Sequence, residues 1–243
     1  MQNRYAGDIG DFGKFGLLRY LSRTGLRIGV NWYLTPDETH NGDGSHTAYL
    51  RNETYRACDG ELFEALGKIV NPPGRRSVAS LKKAGILNAV YYDKVLDFRC
   101  APDRAEKRRK WHADALDCLA DAEIVFLDPD NGLMVPSAAK TIRANKYAEL
   151  SEIADYCRRP RKTSVIWYQH KARRRDEFYR DQFRDILKME EFRGMCGMGL
   201  KFSPVSQRYY FLLIQPEHRE ILSLVDNFLE TPWKTCFSPF PAG

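Results

Sequence analysis

The 243-residue sequence has no apolar run approaching the roughly 20 residues that a bilayer-spanning helix needs. Its opening, Met1-Gln2-Asn3-Arg4-Tyr5, has no apolar stretch of the signal-peptide type, so a cytoplasmic location is expected. Six cysteines, at 58, 100, 118, 157, 196 and 236, are scattered without a Cys-x-x-Cys or a Cys-His pair at zinc-finger spacing. That pattern argues against a disulfide-stapled fold and a structural zinc, and reads as reduced thiols. The histidines, at 40, 46, 112, 170 and 218, are too dispersed to suggest a metal site. Neither a Gly-x-Ser-x-Gly elbow nor a Walker phosphate loop occurs. With no internal repeat, linker or low-complexity segment, one domain over 1–243 is the economical expectation.

What is present is an ordinary globular composition, 43% hydrophobic and 29% charged. The net charge of +6 is modest, but the basic residues are concentrated. Lys107-Arg108-Arg109-Lys110, Arg158-Arg159-Pro160-Arg161-Lys162 and Lys171-Ala172-Arg173-Arg174-Arg175 form three blocks. A solvated helix face explains any one of them; three together suggest an anionic partner, nucleic acid above all.

Helix and strand signals alternate, which implies an α/β fold of Rossmann-like type with helices on both faces of the sheet. Helices are predicted over 11–23, 61–70, 77–83, 103–119, 146–157, 176–188 and 217–229. Strands are predicted over 27–34, 89–92, 122–127 and 164–168, with an antiparallel hairpin from 199–202 and 209–214. The continuous apolar runs at 122–127 and 164–168 fit parallel strands covered on both faces.

In such sheets ligands bind beyond the carboxyl ends of the strands. Three strand ends carry polar residues: Thr35-Pro36-Asp37-Glu38 leading to Asn41-Gly42-Asp43-Gly44, then Asp128-Pro129-Asp130-Asn131-Gly132, then Gln169-His170-Lys171. The second is also a favourable tight-turn sequence, but a carboxylate directly after a buried strand points to use. Ahead of the first helix, Ala6-Gly7-Asp8-Ile9-Gly10-Asp11-Phe12-Gly13-Lys14 has Asp11 as candidate N-cap. Gly13 and Gly16 each lower helix propensity by about 1 kcal/mol against alanine, which suggests a close approach of backbone or ligand. Trp32, Tyr33, Trp167 and Tyr168 read mostly as core, with Tyr33 and Tyr168 nearest their strand ends.

The stretch AGDIGDFGK resembles the N-terminal AGNxADxxK motif of bacterial 23S rRNA adenine-N6-methyltransferases of the J type. His112-Ala113-Asp114-Ala115-Leu116, Phe126-Leu127-Asp128-Pro129-Asp130 and Ile166-Trp167-Tyr168 resemble the family's acidic motif, its DPPY element and the strand that follows. The matches span Tyr5 to His170, and a parallel sheet closed by a hairpin is similar to the class I methyltransferase layout. The resemblance implies an S-adenosylmethionine-dependent amino-N-methyltransferase acting on nucleic acid, or a diverged relative. On that footing Lys14, Tyr33, Asp37, Asp43, Asp93 and Asp114 would meet the cofactor. Asp128, Pro129, Asp130, Asn131 and His170 would form the catalytic group, while Arg4, Tyr5, Lys171, Arg173 and Arg174 would meet nucleic acid. Here Asp130 and Asn131 replace the second proline and the stacking aromatic of DPPY, and the first strand does not end in a Gly-x-Gly turn.

Those departures leave two other readings. Asp37, Glu38, Asp43, Asp128 and Asp130 are hard oxygen donors of the kind Mg²⁺ uses, which with Lys171 suggests a nuclease or phosphodiesterase. Alternatively, a methyltransferase-type fold has kept its shape as a non-catalytic binding module.

Overall fold

The computed structural model describes residues 1–38, 44–71 and 76–241. In chain order the strands are β1 (Ile28–Asn31), β2 (Ala89–Tyr92), β3 (Ile124–Leu127), β4 (Gly132–Leu133), β5 (Tyr147–Ala148), β6 (Ser164–His170), β7 (Cys196–Phe202), β8 (Arg208–Ile214) and β9 (Phe237–Pro239). The helices are α1 (Ile9–Leu21), α2 (Glu53–Arg56), α3 (Gly60–Val70), α4 (Val78–Lys83), α5 (Arg104–Cys118), α6 (Pro136–Ala139), α7 (Leu150–Cys157), α8 (Asp176–Leu187) and α9 (Glu220–Glu230).

Seven strands form one sheet in the order β2-β1-β3-β6-β8-β7-β9. The first four are parallel. β8 inserts between β6 and β7, antiparallel to both, and β9 adds antiparallel to β7. The chain therefore leaves β1 towards β2 on one side and returns to β3 on the other, which opens a crevice at the carboxyl ends of β1 and β3. This is the expected α/β, mostly parallel, Rossmann-like sheet with its terminal hairpin.

The pleat explains the apolar runs. Ile124 and Phe126 of β3 face the layer of α1, α3 and α9, while Val125 and Leu127 face the layer of α5, α7 and α8. β8 alternates likewise, Tyr210, Leu212 and Ile214 against Tyr209, Phe211 and Leu213. The six cysteines are unbridged. No described helix is long and apolar enough to cross a membrane.

Two local expectations change. Residues 147–148 are β5 rather than the start of a helix, because they pair with β4, and the helix begins at Leu150. A sequence window cannot show that distant partner. Helix α1 begins two residues early, capped by Asp8 instead of Asp11.

Gly13 and Gly16 of α1 face aromatic rings. A Cβ on Gly13 would lie 2.6 Å from the Phe202 ring, and one on Gly16 would collide with the Trp233 indole. Trp233 is 2% exposed and packs on Phe12 at 4.7 Å between ring centroids, so it has little room to yield. Helix propensity alone would make Gly16→Ala about 1 kcal/mol more stable. Overpacking makes it less stable by about 1–3 kcal/mol instead, read as a lower urea midpoint.

Candidate functional site

The start of α1 is built from its own polar residues. Asp8 Oδ1 accepts from the N–H groups of Gly10 and Asp11 at 2.8 and 3.0 Å, filling the helix end. Asp11, now inside the helix, accepts from the Gly7 N–H at 2.9 Å, and Gly7 itself sits at φ +79. One turn on, Lys14 Nζ lies 2.7 Å from Asp11 Oδ1 and 2.5 Å from Asp128 Oδ2. All three side chains are buried.

One ammonium facing two buried carboxylates leaves an excess negative charge. Burial opposes the lysine's charge, but Asp11 and Asp128 outweigh it and hold Lys14 protonated above its ordinary range. Burial pushes the Asp128 carboxyl up, against the pull of Lys14 and the Met1 amine. Asp8 is likewise raised, by burial and by Asp11, with Arg208 opposing.

The turn after β3 is fixed from two sides. Gln169 of β6 accepts from the Leu133 N–H at 2.9 Å and donates to the Asn131 carbonyl at 3.1 Å. Gly132 has φ +104, and a Cβ there would strike the Gln169 amide, so the turn requires glycine. The Met1 amine ion-pairs with Asp130 and donates to the carbonyls of Tyr33 and Asp128 at 3.2 Å each. Gln2 donates to Asp130 at 2.9 Å, and Lys146 bonds Glu38 at 2.6 Å. On the remaining side Tyr168 and His170 meet at 3.4 Å. Burial pushes the Tyr168 hydroxyl up to about 12, so it is neutral at ordinary pH.

These walls enclose a cleft of about 460 Å³, within the usual range of ligand sites. Of the proposed residues, Lys14, Asp128, Pro129, Asp130, Asn131, His170 and Tyr5 line it. Lys171 lies just beyond, bonded to Asp176 at 2.7 Å and Gln207 at 2.6 Å. Arg173 and Arg174 are exposed in the loop that follows. Arg4 packs over Tyr5 and ion-pairs with Glu38 at 3.6 Å. Asp43 lies outside the described residues.

The remaining cofactor residues do not converge on the cleft. Tyr33 is fully buried at φ +43, its ring 4.9 Å from Trp111 and its hydroxyl 2.9 Å from Glu152. Asp37 is exposed and accepts from the Arg4 N–H at 3.3 Å. Asp93 is held by Lys82 at 2.7 Å and Asp114 by Lys94 at 2.8 Å, away from the cleft lining. Met1 and Gln2, 3% and 0% exposed, close the ends of β1 and β3. Among the described residues, Tyr33, Asp37, Asp93 and Asp114 therefore do not fit S-adenosylmethionine held in the way the resemblance implies.

Of the carboxylates proposed for Mg²⁺, Glu38, Asp128 and Asp130 line the cleft, while Asp37 is exposed outside its lining. Asp128 and Asp130 each face an ammonium, and among the described residues no three acidic, histidine or cysteine side chains form a metal-ligand group. Sequence reasoning missed Asp8, Lys146, Ser206 and Arg208 as cleft residues. Arg208 had no detectable signal, because it opens an otherwise apolar strand.

Replacing Lys14 with methionine leaves Asp11 and Asp128 buried without a counter-charge. Lys14→Met is expected to lose about 3–5 kcal/mol at pH 7 in urea titrations. Acids whose folded pKa lies above the unfolded value bind more protons when folded, so stability falls as pH rises through that interval. The deficit should therefore shrink between pH 7 and 5; a deficit independent of pH would count against this charge balance. No protein-family model matches the chain, and comparison with curated proteins likewise gives no match.

Proposed function

We propose that this chain is a nucleic-acid-binding protein on a methyltransferase-type frame, which presents an unpaired base to Lys14 and Asp128. The observation that carries the reading is the contact between these two residues. They come from the two segments that most resemble the adenine-N6-methyltransferases, lie 114 positions apart, and meet in one 2.5 Å bond inside the cleft. The insertion of β8 between β6 and β7 supports the same frame.

The chemistry suits a base edge. Lys14 donates to a ring nitrogen or carbonyl, and an Asp128 carboxyl oxygen accepts from an exocyclic amine. Tyr5 and Tyr168 line the cleft and offer rings in place of the aromatic that Asn131 replaces. Asp11 and Asp130 repel phosphate from the cleft floor, so the run of backbone phosphates in a bound strand falls to the rim. There Arg173, Arg174 and Arg175 follow the end of β6 and are exposed.

The other basic blocks are partly drawn into the fold. Arg108 is 6% exposed and bonds Glu152 and the carbonyls of Ala144 and Tyr147. Arg159 caps the carbonyls of Leu119 and Ala122, at the opposite end of β6. Among the described residues only Lys14 of the expected cofactor contacts lines the cleft, so the function is recognition of a base.

Fluorescence anisotropy with labelled 12-nucleotide RNA and DNA single strands tests the reading. Wild type should bind at low salt. Arg173→Ala/Arg174→Ala should bind roughly tenfold more weakly, with its log–log salt slope smaller by about 1.4, two single-strand phosphate contacts. No binding by wild type, or an unchanged slope in the double variant, rejects it. Calorimetric titration with S-adenosylmethionine should give no binding heat; micromolar binding would restore the transferase reading.

A further inference from the structure

Arg208, the first residue of β8, is 4% exposed and lines the same cleft. Buried arginines ordinarily face a carboxylate, because an unpaired buried charge is costly. This one does not. Its single hydrogen bond among the described residues runs from Nη2 to Ser206 Oγ at 2.6 Å, and Nε has no partner. The guanidinium packs 5.3 Å over the Phe202 ring. Its Nη1 occupies the space that a Cβ on Gly10 would take, at the start of α1.

The surroundings hold the group in place, and Asp8 and Asp11 act on its charge without forming an ion pair among the described residues. Asp8, the nearest acidic neighbour on α1, has Oδ1 committed to the N–H groups of Gly10 and Asp11. Burial and Asp11 also favour the protonated form of Asp8, which weakens its opposition to an incoming anion. Tyr168 and Tyr210 lie within electrostatic reach, both held neutral by burial, and the Tyr210 hydroxyl has no partner. His170 stands opposite Arg208 in the strand register and lines the cleft with it.

We infer that Arg208, Ser206 and His170 form a phosphoryl subsite, so that the cleft takes a nucleotide with its base at Lys14–Asp128 and its phosphate at Arg208. The substrate class rests on the base-binding reading above; the phosphoryl subsite itself does not. With only Nη2 hydrogen-bonded among the described residues, the guanidinium keeps N–H donors that phosphate oxygens can accept from. Asp11 and Asp128 disfavour an anion deeper in the cleft, which places the phosphoryl group at the arginine end.

Isothermal titration of the full chain with inorganic phosphate at low ionic strength is the test. The four nucleoside 5′-monophosphates and their parent nucleosides follow. Wild type should bind phosphate and prefer the monophosphates to the nucleosides by at least tenfold. Gly10→Ala keeps every charge and pushes the guanidinium aside, so phosphate affinity should fall at least tenfold in the folded variant. Arg208→Gln should lose it too, and circular dichroism will show whether that variant folds.

No phosphate binding by wild type, or unchanged affinity in folded Gly10→Ala, overturns the subsite. Phosphate binding that persists while the labelled strands fail to bind rejects the nucleic-acid reading and leaves the subsite standing. Displacement of bound phosphate by a mononucleotide or by a 12-nucleotide strand, whichever acts at lower concentration, identifies the source of the phosphoryl group.

Discussion

Lys14 brings one positive charge into a space bounded by Asp11 on its own helix and Asp128 at the end of β3, and the cleft is organised around that contact. The ammonium ties the start of α1 to the carboxyl edge of the sheet. Asp128 in turn leads into the turn that Gln169 and Gly132 fix. In a medium of low polarity each of the three groups is tolerable only because of the others. The triad joins distant chain segments and sets the chemistry of the cleft floor.

The other end of the sheet crevice is closed by packing. Tyr33, Trp111 and Tyr92 form an aromatic cluster beyond β1 and β2, and Met1 and Gln2 lie across the ends of β1 and β3. A small-molecule site at the usual switch point would need that volume. The cleft runs from the turn after β3 towards β6 and β8, where Tyr168, His170 and Arg208 stand. A Rossmann-like sheet thus keeps its topology while its open site moves along the strand ends.

Charge is divided in the same way. Arg108 and Arg159 look like members of surface blocks, yet both satisfy buried carbonyls or carboxylates and hold loops to the sheet. Arg173 to Arg175 remain exposed, and Arg208 is buried without a carboxylate. Linear clustering describes solvated arginines well and buried ones poorly, because burial depends on partners far away in sequence.

Periodicity and apolar runs determined the layered α/β class, the parallel strands around Ile124–Leu127 and Ser164–His170, and the β7–β8 hairpin. Those features depend on neighbours within a few residues. Asp128 was legible as a strand-end carboxylate, and Lys14 as an unusual lysine at a helix start. Their meeting was not legible, nor were the β4–β5 pairing that displaced a predicted helix start and the aromatic contacts that account for Gly13 and Gly16. Asp93 and Asp114 had plausible positions in the sequence but lie against surface lysines, since only the packing of α4 and α5 decides which way they face. Local sequence sets which elements form. The site belongs to tertiary structure, because its charges are balanced by groups more than a hundred residues apart.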